Sequence, residues 1–269
     1  MIEQDGTPKQ FLDDPALAQL REQLDQALSH ASLRRKIGFI RWKHPLTVAD
    51  RERLLQKLLP AAMAGMGAAP LSRTEILNFL IGACGYRTYL EIGVNDAQNF
   101  ERITAPYKDG VDPAGKCNFP VTSDEFFAAN SRNYDVIFID GLHEARQVER
   151  DVENSLKVLN PKGMILLHDC NPRHEAMTRG EWVRDQEWCG TVWKAFANYR
   201  MTRPDLFMCT IHADYGVGVV MRGEQKLFPR VADEELNYPV LERNRKELLN
   251  LMRWDEFVKM IERRSSLQE

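Results

Sequence analysis

From Ser72 onward, short apolar runs alternate with longer stretches in which apolar residues recur every three or four positions. The runs are 88–94, 109–111, 134–139 and 164–168, each bounded by turn formers. Between the last two, Val148, Val152, Leu156 and Leu159 mark one face of a helix over 143–159, which Asn160-Pro161-Lys162-Gly163 ends. A further helix is predicted over 75–84, closed by Gly85, whose backbone freedom suits a helix stop. Buried strands alternating with helices predict an α/β fold, a doubly wound and mostly parallel sheet. Residues 207–212 and 215–221 read as paired strands around a turn at Ala213-Asp214, and 237–262 as a helical tail. No internal repeat is visible.

The first seventy residues follow a different pattern. Leu17, Leu20, Leu24 and Leu28 make an amphipathic helix over 11–28, and Leu54, Leu55, Leu58 and Leu59 make a second after Thr47. The Ala-, Gly- and Met-rich stretch 61–70 is the linker. The expected organisation is a helical extension over 1–70, a core over 71–235, and a helical tail over 236–269 packed on that core. The cluster Arg34-Arg35-Lys36 with Arg41-Trp42 reads as a solvated helix face.

Composition narrows the classes. With 43% hydrophobic and 28% charged residues the chain is neither disordered nor low-complexity. A net charge of −3 lacks the basic footprint of a nucleic-acid binder. No stretch approaches the roughly 18 apolar residues of a membrane span, and the first residues do not form a secretory signal. Five scattered cysteines without a C-x-x-C pair read as reduced thiols, so a cytoplasmic protein is expected.

In doubly wound sheets ligands bind beyond the carboxyl ends of the strands. Four strand ends here are polar. The first runs Glu91-Ile92-Gly93-Val94-Asn95-Asp96-Ala97, a strand entering a glycine turn that lets backbone approach a ligand. It holds one glycine, with Asn95 and Ala97 where further small residues are common, which argues against a nicotinamide dinucleotide. The second, Gly110-Val111-Asp112-Pro113, places an acid about 20 residues after that turn, suited to ribose hydroxyls. The third is Ile139-Asp140-Gly141-Leu142-His143, and the fourth Leu167-His168-Asp169-Cys170-Asn171-Pro172. Two adjacent strands that both end in Asp and His suggest a catalytic site.

These segments, together with Thr122-Ser123-Asp124-Glu125-Phe126-Phe127, resemble bacterial class I S-adenosylmethionine (SAM)-dependent methyltransferases. More narrowly they are similar to the branch of small-molecule and sugar O-methyltransferases, over roughly 71–222. The resemblance implies the Rossmann-like methyltransferase fold and SAM as cofactor. It implies that Glu91, Gly93, Val94 and Asn95 form the methionine-side loop, that Asn99 holds the methionine carboxylate, that Asp112 holds the ribose, and that Ser123 and Asp124 flank the adenine. It also implies Asp140 as a Mg²⁺ or other divalent-metal ligand beside the cofactor, His143 as the base, and Asp169 with Asn171 as further metal contributions. Two departures stand out. Ala97 or Gln98 occupies the place of the last loop glycine, and 112–120 is too short for a crossover helix. His168 also stands where an acid often precedes the metal-binding Asp, and an imidazole there suits a transition metal or none.

The expected activity is methyl transfer to a hydroxyl of a small polar acceptor such as a sugar or glycan precursor. An N-methyltransferase of a natural product or amino sugar, and a catalytically silent SAM-binding partner protein, are the alternatives. No nucleic-acid or membrane partner is expected, and a homo-oligomer is left open. The segment 173–193, with His174, Trp182, Trp188 and Trp193 among charges, reads as an acceptor-side lid.

Overall fold

The computed structural model describes residues 71–266. The helices, linker and basic patch expected within 1–70 lie outside the described residues.

The described chain opens with helix α1 (Arg73–Cys84). Ser72 caps it reciprocally with Glu75, and Gly85 closes it in the left-handed region at φ +66°. Strand β1 (Thr88–Ile92) follows, then β2 (Tyr107–Val111). A loop over 112–122 carries no crossover helix, as its shortness predicts, and ends in the short helix α2 (Ser123–Ala129), whose Thr122–Glu125 capping box mirrors that of α1. Strand β3 (Tyr134–Ile139), helix α3 (Ala145–Val158) and strand β4 (Leu159–Leu167) form one β–α–β unit. The tetrapeptide expected to separate helix from strand lies inside β4 instead. Leu159 pairs with Tyr134 and Met164 with Val136, so the residues between them form a bulge in a strand that has already begun.

Helix α4 (Val192–Thr202), strand β5 (Leu206–Ile211) and strand β6 (Val217–Arg222) come next, β5 and β6 pairing antiparallel as the sequence predicts. The tail is not helical throughout. Helix α5 (Tyr238–Leu248) stops at a residue pair, β7 (Leu251–Met252), that adds to β5 before helix α6 (Trp254–Ser266) begins. Leu241, Leu248 and Leu249 are fully buried in the main core.

The sheet order is β2-β1-β3-β4-β6-β5-β7, and among the described strands only β6 is reversed. This is the doubly wound, Rossmann-like arrangement. The chain leaves β1 towards β2 and returns on its other side as β3. A reversal of this kind opens a crevice at the carboxyl ends of the two central strands.

Candidate active site

That crevice is occupied by a cleft of about 1110 Å³, lined from the carboxyl ends of β1, β2, β3 and β4 and from the turn between β5 and β6. Among the sequence-predicted residues, Glu91, Gly93, Val94, Asn95, Asn99, Asp112, Ser123, Asp124, Asp140, His143 and Asp169 all line it. Asn171 does not. Its Oδ1 accepts from Arg245 and its backbone N–H donates to Tyr215.

On the β1–β2 side the cleft is built from backbone. Gly93 has φ +87°, and a Cβ there would lie 2.3 Å from the carbonyl oxygen of Asp140, so only glycine lets these two strand ends meet. The next bends are made without glycine: Asn95 and buried Ala97 sit at φ +52° and +68°. Asp112 locks the turn by accepting from the N–H groups of Asn95, Ala114 and Gly115 at 2.9, 2.9 and 2.7 Å. Burial opposes the charge of Asp112, but these bonds hold its carboxyl below the usual range. A carboxylate has about four acceptor positions, so a bidentate grip on two hydroxyls is not open, while one further bond is.

Glu91 is buried beneath this turn. Tyr89 Oη donates to it at 2.5 Å and Asn99 Nδ2 at 2.9 Å. Burial pushes its carboxyl up to about 7, against those two bonds. Asn99 spends the rest of its amide on Tyr89 and on Thr74 Oγ1, so it buttresses Glu91 and is not free for a carboxylate. At the far end Ser123 and Asp124 are joined by two residues that the sequence reading missed. Gln147 of α3 bridges Ser123 to buried Asp151, whose carboxyl burial pushes up.

On the β3–β4 side the cleft is built from charged side chains. His143 lies 3.4 Å by Nε2 from Asp140 Oδ1 and 3.4 Å by Nδ1 from Asp169 Oδ2. Its ring stacks on Trp188 at 4.6 Å. Asp169 is held at φ +61°, a conformation that Asp tolerates better than most residues. Arg73, from the first turn of α1, donates to Asp140 at 2.5 Å and to Asp214 at 3.0 Å. Buried His168 reaches Asp214 by Nε2 at 3.4 Å. Burial works against a charged imidazole here, yet Asp140 and Asp169 outweigh it and raise His168 well above its ordinary value. Burial likewise opposes the charge on Asp140, but His168, His143 and Arg73 hold it well below the carboxylate range. Arg73 and Asp214 were missed in the sequence because one looks like a helix start and the other like a turn former.

Asp140, His143 and Asp169 each present a ligand atom within 4.8 Å of the other two, a donor set that fits a divalent cation. Of the four aromatic and basic residues expected over the acceptor, only Trp188 lines the cleft. Trp193 is fully buried in the core, Trp182 is exposed outside the cleft, and His174 is exposed near Glu187.

Residues 80–170, which span this cleft, match the family model of a methyltransferase domain. No curated protein matches the chain by sequence. Among solved structures the chain is similar to an O-methyltransferase from Bacillus cereus in complex with SAH, at 16% identity over 70% of this chain and 96% of that one, TM-score 0.39. It is similar to an SAH-bound methyltransferase from Podospora anserina, at 14% identity over 76% and 96%, TM-score 0.44. It is also similar to a sugar N-methyltransferase from a Streptoalloteichus species, at 12% identity over 62% and 93%, TM-score 0.41. Among the described residues no helix is long and apolar enough to cross a membrane.

Proposed function

We propose that this methyltransferase core moves a methyl group from SAM to a hydroxyl of a small polar acceptor, a sugar or glycan precursor being the class that the cleft suits best. One observation carries the reading. The glycine turn with its ribose-type acid and the Asp140–His143–Asp169 cluster open into the same cleft, so donor and base share one space.

In this reading Gly93, Val94 and Asn95 hold the methionine end. Glu91 lies below them, where an incoming ammonium favours its charged form. Asp112 takes one ribose hydroxyl, and Ser123 and Asp124, with Gln147 and Asp151 behind them, border the adenine. The acceptor lies between Trp188, Tyr215 and His143, a polar pocket with aromatic walls.

The reaction is an in-line displacement. The acceptor oxygen forms a bond to the methyl carbon as the carbon–sulfur bond breaks, leaving S-adenosylhomocysteine. Alignment of the two supplies much of the acceleration. The hydroxyl proton passes to His143, and the carboxylates of Asp140 and Asp169, each 3.4 Å from a ring nitrogen, stabilise the imidazolium that results. A divalent cation held by Asp140, Asp169 and an imidazole would supply Lewis-acid polarisation of the acceptor oxygen when bound.

Calorimetry with SAM, followed by mass spectrometry of reactions with a panel of nucleotide sugars and amino sugars, tests the proposal. Micromolar SAM binding and a one-methylene mass gain on a hydroxyl are expected. No SAM binding would overturn it, and methylation confined to amines would replace O-transfer by N-transfer.

A further inference from the structure

His143 is gripped at three levels by one short strip of chain. Its carbonyl oxygen accepts the N–H of Thr191 at 2.8 Å, and Thr191 Oγ1 in turn accepts from the N–H of Ala145, the first residue of α3, at 2.8 Å. Gly190 packs on its Cβ. The indole of Trp188 lies on its ring, with centroids 4.6 Å apart and planes 16° from parallel. Asp140 and Asp169 meet the same ring at its edge, one at each nitrogen and both at 3.4 Å. Contacts confined to the edge leave an imidazole free to rock about the line through its nitrogens, whereas a stacked face holds its plane. Among the described residues, Trp188 is the one aromatic ring stacked on it.

The indole is itself fixed. Its Nε1 donates to the carbonyl of Arg179 at 2.7 Å, and the Arg179 guanidinium donates back to the carbonyl of Glu187 at 3.1 Å. The carbonyl of buried Met177 accepts from the N–H groups of both Cys189 and Gly190, at 2.9 and 3.1 Å, which closes the loop 178–188 at its neck. Glu187 accepts from Tyr215 Oη at 2.6 Å and ties that loop to the turn between β5 and β6. Residues 181–187 are exposed, so Trp188 stands where an open loop becomes a rigid wall of the cleft.

We infer that Trp188 is a positioning residue for the reaction: its indole holds the His143 imidazole in one plane, so that the nitrogen taking the proton faces the acceptor oxygen along a constant line. The inference rests on the proposed methyl-transfer reading, in which His143 takes that proton. A proton passes between heavy atoms about 2.6–3.2 Å apart. A misplacement of about 1 Å can cost roughly 10²-fold in rate, so a base free to rock loses turnover without losing affinity. Trp188 also walls the acceptor, and kinetics separates the two roles. Loss of a wall raises KM alone, whereas loss of positioning lowers kcat.

Turnover of the full-length protein with SAM and the nucleotide sugars and amino sugars named above tests this, beside SAM calorimetry and the ¹H–¹³C spectrum of protein carrying ¹³C-labelled histidine. Trp188→Leu should cut kcat by about 10- to 100-fold. Trp188→Phe, which keeps a stacking ring, should recover most of that loss. In the His143→Ala background Trp188→Leu should cost less than about 2-fold further, because a residue that acts through another then has nothing to act on. The His143 ring signals, identified by their loss in His143→Ala, should lie upfield under the ring current of the indole. They should stay upfield in Trp188→Phe and move to the position of a free imidazole in Trp188→Leu. Unchanged SAM affinity in each variant certifies a folded cleft. A rise in KM at constant kcat, or an equal loss in the His143→Ala background, would overturn the inference and leave the methyl-transfer reading standing. If SAM does not bind or no acceptor is methylated, that reading fails and the spectrum decides the hold on the ring, which His143 signals untouched by Trp188→Leu would disprove.

Discussion

Around Gly93 and Asp112 the cleft is made of backbone held by near neighbours, whereas around Asp140 and Asp169 it is made of side chains brought from distant segments. Asp112 reaches Asn95 across 17 positions and Ala114 across two. Arg73 reaches Asp140 across 67 and Asp214 across 141. The first half is a shape held mostly by bonds between the ends of β1 and β2, with the end of β3 packed against Gly93. The second exists only once α1, β3, β4 and the β5–β6 turn are all in place. A shape made of N–H groups suits a cofactor that is always the same. A network of opposed charges suits a step in which a proton must be moved.

Substitutions can separate the two halves. The largest effect is expected from His143→Ala, which should cut turnover by about 10²–10⁴ while SAM affinity stays nearly constant. Steady-state kinetics beside calorimetry reads both, and surviving turnover would move the base elsewhere. Asp112→Ala should do the opposite, weakening SAM by about 1.5–3 kcal/mol as a charged acceptor is lost. If affinity is unaltered, the ribose assignment goes. Arg73→Met should cost about 1–2 kcal/mol of stability, because two carboxylates lose a partner, the figure being reduced since the Arg73 side chain is 27% exposed. Denaturant titration measures it, and an unchanged midpoint would mean that the cluster needs no cross-link to α1. The smallest effect sits in the backbone half. Ala97→Gly should stabilise by about 1 kcal/mol, since a left-handed alanine at φ +68° is relieved. A lower melting temperature would show that the lost methyl packing outweighs the strain.

The same division explains what could be read from the chain alone. Strands β1 and β3 are near-continuous apolar runs, and each ends in the residues that face the cleft. Gly93, Asp112, Asp140, His143 and Asp169 were therefore legible from local pattern together with one rule of sheet topology. Arg73 and Asp214 were not, because nothing in either neighbourhood encodes a partner so far away in sequence. Gln147 and Asp151 were hidden for another reason: α3 was read by its apolar stripe, and a buried carboxyl on the same face breaks no period. Trp193 looked like a ligand-facing aromatic beside Trp188, but it falls inside α4, where the helix turns it into the core. The tail misled because β7 is two residues long, too short for any alternation to show.

Gly190 packs against His143, the proposed base. At φ +60°, a Cβ on it would fall 2.3 Å from the carbonyl oxygen of His143 and 2.6 Å from its Cβ, and the next residue, Thr191, donates its N–H to the same carbonyl. The segment proposed to wall the acceptor side is thus welded to the segment that carries His143. Divergence towards new acceptors has free play in the exposed stretch 181–187. Once a change propagates to Trp188 or Gly190, it alters what is recognised and how the proton leaves in a single event, so selectivity and chemistry at this end of the protein are inherited together.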